Sequence, residues 1–147
     1  RYEAGVDFSG SLYLGGPSRE PAGMAGSSYG GAANFGQSIY CGTADIGESK
    51  FMAGAPSFDG CIFDPTVNNY FGNGPGGRYD IRLVGGFPAG ARALSLSQAA
   101  QMGVHLRAIE ALVASLYDVP PGTDAHRGVH QRVLEACTVF ARRVRSL

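Results

Sequence analysis

The chain has 147 residues, with twelve acidic and twelve basic side chains and a net charge of zero. That balance argues against general nucleic-acid binding, which needs a cationic surface to displace counterions from phosphate. No run of roughly 20 apolar residues occurs, so no transmembrane helix is expected.

Glycine divides the chain. Twenty of its 23 glycines lie in residues 1–90 and three in residues 91–147. The first region carries 8 acids and 5 bases and the second 4 acids and 7 bases, so the two lean in opposite directions. The chain opens at Arg1 without methionine or a hydrophobic leader, as either a processed precursor or a fragment cut from a longer chain would. Only Lys50 among the basic residues is a lysine, and arginine forks suit protein and carboxylate contacts.

Residues 1–90 read as loops with short extended pieces, because dense Gly and Pro break helices and mark turns. The strand candidates are Ser11–Leu14, Ser38–Cys41, Cys61–Phe63 and the alternating stretch Tyr79–Val84. Such a glycine-rich backbone loses much entropy on ordering. Low charge and abundant aromatics nevertheless set it apart from disordered segments. It reads either as a segment that lies on another surface or as an irregular small β-fold packed on its own helices.

Residues 91–147 predict a helix–loop–helix. Met102, Leu106, Ile109, Val113 and Leu116 step by four, three, four and three, which makes one apolar stripe. Ser95 or Ser97 suits the start of that helix, and Asp118-Val-Pro-Pro-Gly its end. Thr123 or Asp124 suits the cap of the second, whose stripe is Val129, Val133, Cys137, Phe140 and Val144. Arg142, Arg143 and Arg145 favour its C-terminal dipole. The expected class is α+β or irregular: a Gly-rich short-strand region, then a helical hairpin, together one structural unit. Two helices alone bury too little, so they need residues 1–90 or a partner.

One pattern occurs three times: Phe8-Ser9-Gly10-Ser11-Leu12-Tyr13, Phe35-Gly36-Gln37-Ser38-Ile39-Tyr40 and Phe58-Asp59-Gly60-Cys61-Ile62-Phe63. Repeated aromatic pairs on a glycine backbone suggest surface anchors for a protein partner, through Phe8, Tyr13, Phe35, Tyr40, Phe58 and Phe63. Cys41 and Cys61 sit in these glycine-flanked loops, where a thiol could be exposed, with Asp45, Asp59 and Asp64 close in sequence. Three readings stay open for them: a Cys41–Cys61 disulfide in an oxidising compartment, inert thiols, or a thioether-linked tetrapyrrole with a carboxylate near its pyrrole N–H groups.

Other motifs carry less. Gly72-Asn73-Gly74-Pro75-Gly76-Gly77 matches G-x-G-x-x-G, but a strand is expected after it where a dinucleotide site needs a helix. His126 and His130 are four apart on one helix face with no third metal ligand placed by spacing, and read as a solvated pair. His105 reads as a packed or rim residue. Cys137 lies on an apolar stripe, where a thiol is usually a small core residue. No C-x-x-C, G-x-S-x-G or other catalytic constellation stands out, so no enzyme activity is expected. The alternatives are a small cysteine-dependent enzyme or ligand-binding domain, and a secreted or capsid-like subunit with a disulfide.

Three stretches, GVDFS (5–9), ANFGQSIYCG (33–42) and APSFDG (55–60), resemble segments of the γ-subunit linkers of red-algal phycoerythrin. The later helix–loop–helix is similar in character. The resemblance implies a structural linker at the stromal face of the chloroplast thylakoid that threads phycobiliprotein hexamers. It also implies a covalent phycobilin, phycoerythrobilin or phycourobilin. Cys41 matches a chromophore cysteine of that family, and Cys61, after APSFDG, is the second candidate. Family members are longer and distinctly basic, whereas this chain is neutral and spans at most one of their halves.

Overall fold

A small residue followed two places later by a large apolar one recurs through the middle of the chain. The pairs are Ala33 and Phe35, Ser38 and Tyr40, Ala44 and Ile46, and Ser49 and Phe51, and all eight side chains are buried. In a computed structural model, which describes residues 4–14, 22–23, 26–67, 69–71 and 81–147, each pair marks one side of a four-sided coil.

The sides are strands of two residues: β1 (Val6–Asp7), β2 (Leu12–Tyr13), β3 (Ala22–Gly23), β4 (Ser28–Tyr29), β5 (Ala33–Asn34), β6 (Ile39–Tyr40), β7 (Ala44–Asp45), β8 (Lys50–Phe51) and β9 (Ile62–Phe63). Isolated strands so short have no stability of their own. They persist because each hydrogen-bonds in parallel to its counterpart one coil away: β1 to β5, β2 to β6, β3 to β7, β4 to β8 and β6 to β9. The steps between counterparts are unequal, that from Leu12 to Ile39 being longer than those from Ser28 to Lys50 and from Ile39 to Ile62. Isolated bridges Asn34–Ser57 and Asp45–Tyr70 carry two more sides into the third coil. This is a parallel β-solenoid.

Its corners have a chemical rule. The residue before the buried apolar one turns its side chain back on the chain. Asp7 Oδ1 accepts from the Ser9 amide at 2.9 Å, Asn34 Oδ1 from Gly36 at 2.9 Å, and Asp45 Oδ1 from Gly47 at 2.9 Å. These side-chain turns satisfy backbone donors that the two-residue strands leave free. Two residues after the apolar centre, φ is positive: 68° at Gly10, 57° at Gln37, 56° at Glu48 and 73° at Gly60. Gly31 sits where the first coil passes closest, and a Cβ there would overlap the backbone of Ala4 and Gly5.

The coil interior is a set of ring stacks. Phe8, Phe35 and Phe58 form one, with centroids 5.4 and 5.0 Å apart. Tyr13, Tyr40 and Phe63 form the second at 4.4 and 4.5 Å, continued by Phe87 at 5.0 Å. Tyr29 and Phe51 form a third at 5.0 Å. Edge-to-face contacts, such as Tyr29 on Phe35 at 6.1 Å and Phe71 on Phe63 at 5.4 Å, tie the stacks together. Aromatic pairs in these geometries each contribute about 0.5–1.5 kcal/mol beyond burial.

After the third coil an antiparallel hairpin, β10 (Leu83–Val84) and β11 (Phe87–Pro88), turns through Gly85 and Gly86, both at positive φ as its tight turn requires. Of the stretch Tyr79–Val84, only Leu83–Val84 is a strand, and Tyr79 and Asp80 lie outside the described residues. Strand β12 (Arg92–Ala93) then pairs with β9 and completes a sheet ordered β12-β9-β6-β2.

The chain divides at Leu94 and Ser95 into two units, close to the glycine boundary. The second is the helical hairpin. Helix α1 (Leu96–Tyr117) starts at a capping box in which the Ser95 hydroxyl accepts from the Gln98 amide and the Gln98 side chain accepts from the Ser95 amide. Helix α2 (Asp124–Arg145) starts at Thr123, whose hydroxyl accepts from the His126 amide. Of the expected stripes, Met102, Ile109, Val129, Phe140 and Val144 are buried, while Leu106, Val113, Leu116, Val133 and Cys137 are half-buried. Short strands followed by two helices make an α+β fold. Among the described residues no helix is long and apolar enough to cross a membrane.

Candidate functional site

The three copies of the aromatic motif occupy one register. Val6 pairs with Ala33, Asn34 bridges to Ser57, and Leu12, Ile39 and Ile62 lie side by side. The motif repeats because its copies stack on one another. This corrects the expectation that all six aromatics are surface anchors. Phe35, Tyr40, Phe58 and Phe63 are 0–2% exposed, sealed between neighbouring coils. Only Phe8 and Tyr13, on the outermost described coil, remain half-buried.

The thiols are corrected in the same way. Cys41 and Cys61 are buried and unpaired with each other, so the disulfide reading has no counterpart here. Cys61 is fully buried and its thiol donates to the Phe35 carbonyl at 3.1 Å. Burial pushes Cys61 up to about 11. Cys41 is pushed up to about 12, first by burial and then by the Asp64 carboxylate. Both are therefore protonated and poorly nucleophilic at neutral pH. Cys137 is half-buried and also raised by burial.

The carboxylates are engaged elsewhere. Asp45 closes its corner, and Asp64 Oδ1 accepts from the Thr66 amide at 2.8 Å and the Thr66 hydroxyl at 2.6 Å. Asp59 borders a groove of about 350 Å³ lined by Pro56, Phe58, Ile81, Arg82 and Pro88, which touches neither Cys41 nor Cys61. As packed, these thiols do not fit a thioether-linked tetrapyrrole, because both sulfurs are covered by the coil.

The G-x-G-x-x-G stretch, residues 72–77, lies outside the described residues. His126 and His130 stack at 6.4 Å, and among the described residues no cluster of three metal-ligating side chains forms.

One open strand edge lies on the outer side of the first coil. Among the described residues β1, β2, β3 and β4 each pair on one side only. Val6, Phe8, Leu12 and Tyr13 are half-buried along that edge. An unpaired strand edge with apolar side chains is a template for another chain. Sequence reasoning singled out Phe8 and Tyr13 but missed Val6 and Leu12. Their signal was register: each precedes the aromatic of its side and aligns with Ala33 or Ile39 in the next coil. Compared with protein-family models, with curated proteins and with solved structures, the chain matches none.

Proposed function

We propose that the protein is a non-enzymatic structural subunit of a larger assembly that docks a protein partner along the open edge of its first coil. One observation carries this reading: among the described residues, the four strands of the first coil, β1 to β4, pair only with the second coil, and Val6, Phe8, Leu12 and Tyr13 lie half-buried there. A partner strand added there gains backbone hydrogen bonds and covers the ring stacks.

The motifs GVDFS, ANFGQSIYCG and APSFDG support a light-harvesting antenna at the thylakoid as the setting, with phycobiliprotein-type hexamers as the partner. The buried thiols favour a colourless form of that linker. The test is to purify the full chain from its source and size it, alongside a Val6→Lys/Leu12→Lys variant. The wild type is expected in a complex well above its own 15.3 kDa, and the variant is expected free. A wild-type monomer, or a variant that stays bound, refutes the docking edge. Intact mass on the same sample separates a colourless subunit from one carrying a bilin.

A further inference from the structure

Between α1 and α2 runs an open groove of about 390 Å³. Its floor is apolar: Ile109, Leu112, Ala136 and Phe140, with Val139 at 44% exposure on the lip. Its polar rim is His105, Arg132, Glu135 and Arg143. We propose that this groove receives an acidic amphipathic helix from a protein partner, which completes a three-helix bundle.

Shape and charge both point to that occupant. Two antiparallel helices present ridges that a third helix packs into, whereas a strand finds no backbone partner there. The rim carries two arginines against one glutamate. Glu135 accepts from Gln131 at 3.1 Å, and among the described residues neither Arg132 nor Arg143 has an ion-pair partner. Arg143 Nη1 lies 3.0 Å from His105 Nε2, a contact that leaves the guanidinium charge in place. Arg132 and Arg143 lie roughly 16 Å or three turns apart along α2. A partner helix with carboxylates three turns apart meets both with its apolar stripe on Leu112 and Val139. A second copy of this face is disfavoured, because a two-fold contact would set four arginines against two glutamates.

The groove uses none of the coil-edge residues, so its test stands or fails independently. The probe is a synthetic peptide of about 18 residues with leucine at helical spacing and flanking glutamates, compared with a lysine version. Anisotropy titration into the full-length chain is expected to favour the glutamate peptide at least tenfold. Arg132→Glu/Arg143→Glu should reverse that preference. Arg142→Glu, off the groove, should leave it unchanged, with circular dichroism checking that each variant is folded. Equal binding of the two peptides, no binding of either, or indifference to the double reversal overturns the proposal. Self-association of the chain that Val139→Glu abolishes also overturns it, since a second copy is then the occupant.

Discussion

Tyr13 lies flat over Tyr40, ring centroids 4.4 Å apart and planes 2° from parallel, although a whole coil of chain separates them. Phe63 covers the other face of Tyr40 at 4.5 Å. Among the described residues, Tyr40 is thus sandwiched between two rings and Tyr13 stacks on one. Tyr40→Ala should destabilise the chain by about 3–5 kcal/mol, as large aromatic truncations in a core do, and Tyr13→Ala by clearly less. Urea unfolding measures both. Equal losses would contradict the coil order.

Backbone strain gives a second contrast. Glu48 holds a φ of 56° that glycine adopts freely. Glu48→Gly should raise stability by about 0.5–1 kcal/mol, the relief of left-handed strain less the added freedom of the unfolded chain. Gly60→Ala should do the reverse, because φ there is 73° and the new Cβ meets the Gln37 side chain. Gly31→Ala should be the worst of the three, since the obstruction is backbone. Thermal midpoints rank them.

The thiols make stability depend on alkaline pH. Below about pH 9, their ordinary value, folded and unfolded chains both hold the thiol protons and the thiols add no slope. Above it the unfolded chain releases them, while the folded chain keeps them until about 11 at Cys61 and about 12 at Cys41. Stability should therefore fall with rising pH, by about 1.4 kcal/mol per unit for each thiol within that window. Tyr40, also raised by burial, steepens the fall from about pH 10, its ordinary value, upward. Cys41→Ala should flatten the curve of urea midpoint against pH, and an identical slope would show that Cys41 is not buried.

Accessibility offers a direct check. A thiol reagent at neutral pH should modify Cys137 in the native chain and leave Cys41 and Cys61 untouched until urea is added. Rapid native labelling at either coil cysteine would reopen them as attachment points.

The helices were legible because their information is local: the 3.6-residue stripe, Ser95 with Gln98, and Thr123 all act within one or two turns. The strands were legible in part. Ser11–Leu14, Ser38–Cys41 and Cys61–Phe63 each contain an observed strand. Ser28–Tyr29, Ala44–Asp45 and Lys50–Phe51 went unread, since two residues show no alternation. Each parallel partner lies a full coil further along the chain, and nothing at Leu12 alone designates Ile39. The available signal was the spacing of small and large residues, Ala33-Phe35, Ser38-Tyr40, Ala44-Ile46 and Ser49-Phe51. Missing it turned stacked rings into supposed anchors and buried thiols into supposed handles.

The stacking of Leu12, Ile39 and Ile62 also governs how this protein can change length. One residue added to a flat side swaps the inward ring for its outward neighbour and spoils that side through every coil above and below. A whole coil added between two others leaves both neighbours' pairing intact, because each coil touches only the next. Length variants of this chain should therefore differ at a corner, as where the hairpin of Leu83–Val84 and Phe87–Pro88 lengthens the step from Ile62 to Arg92, or by complete coils.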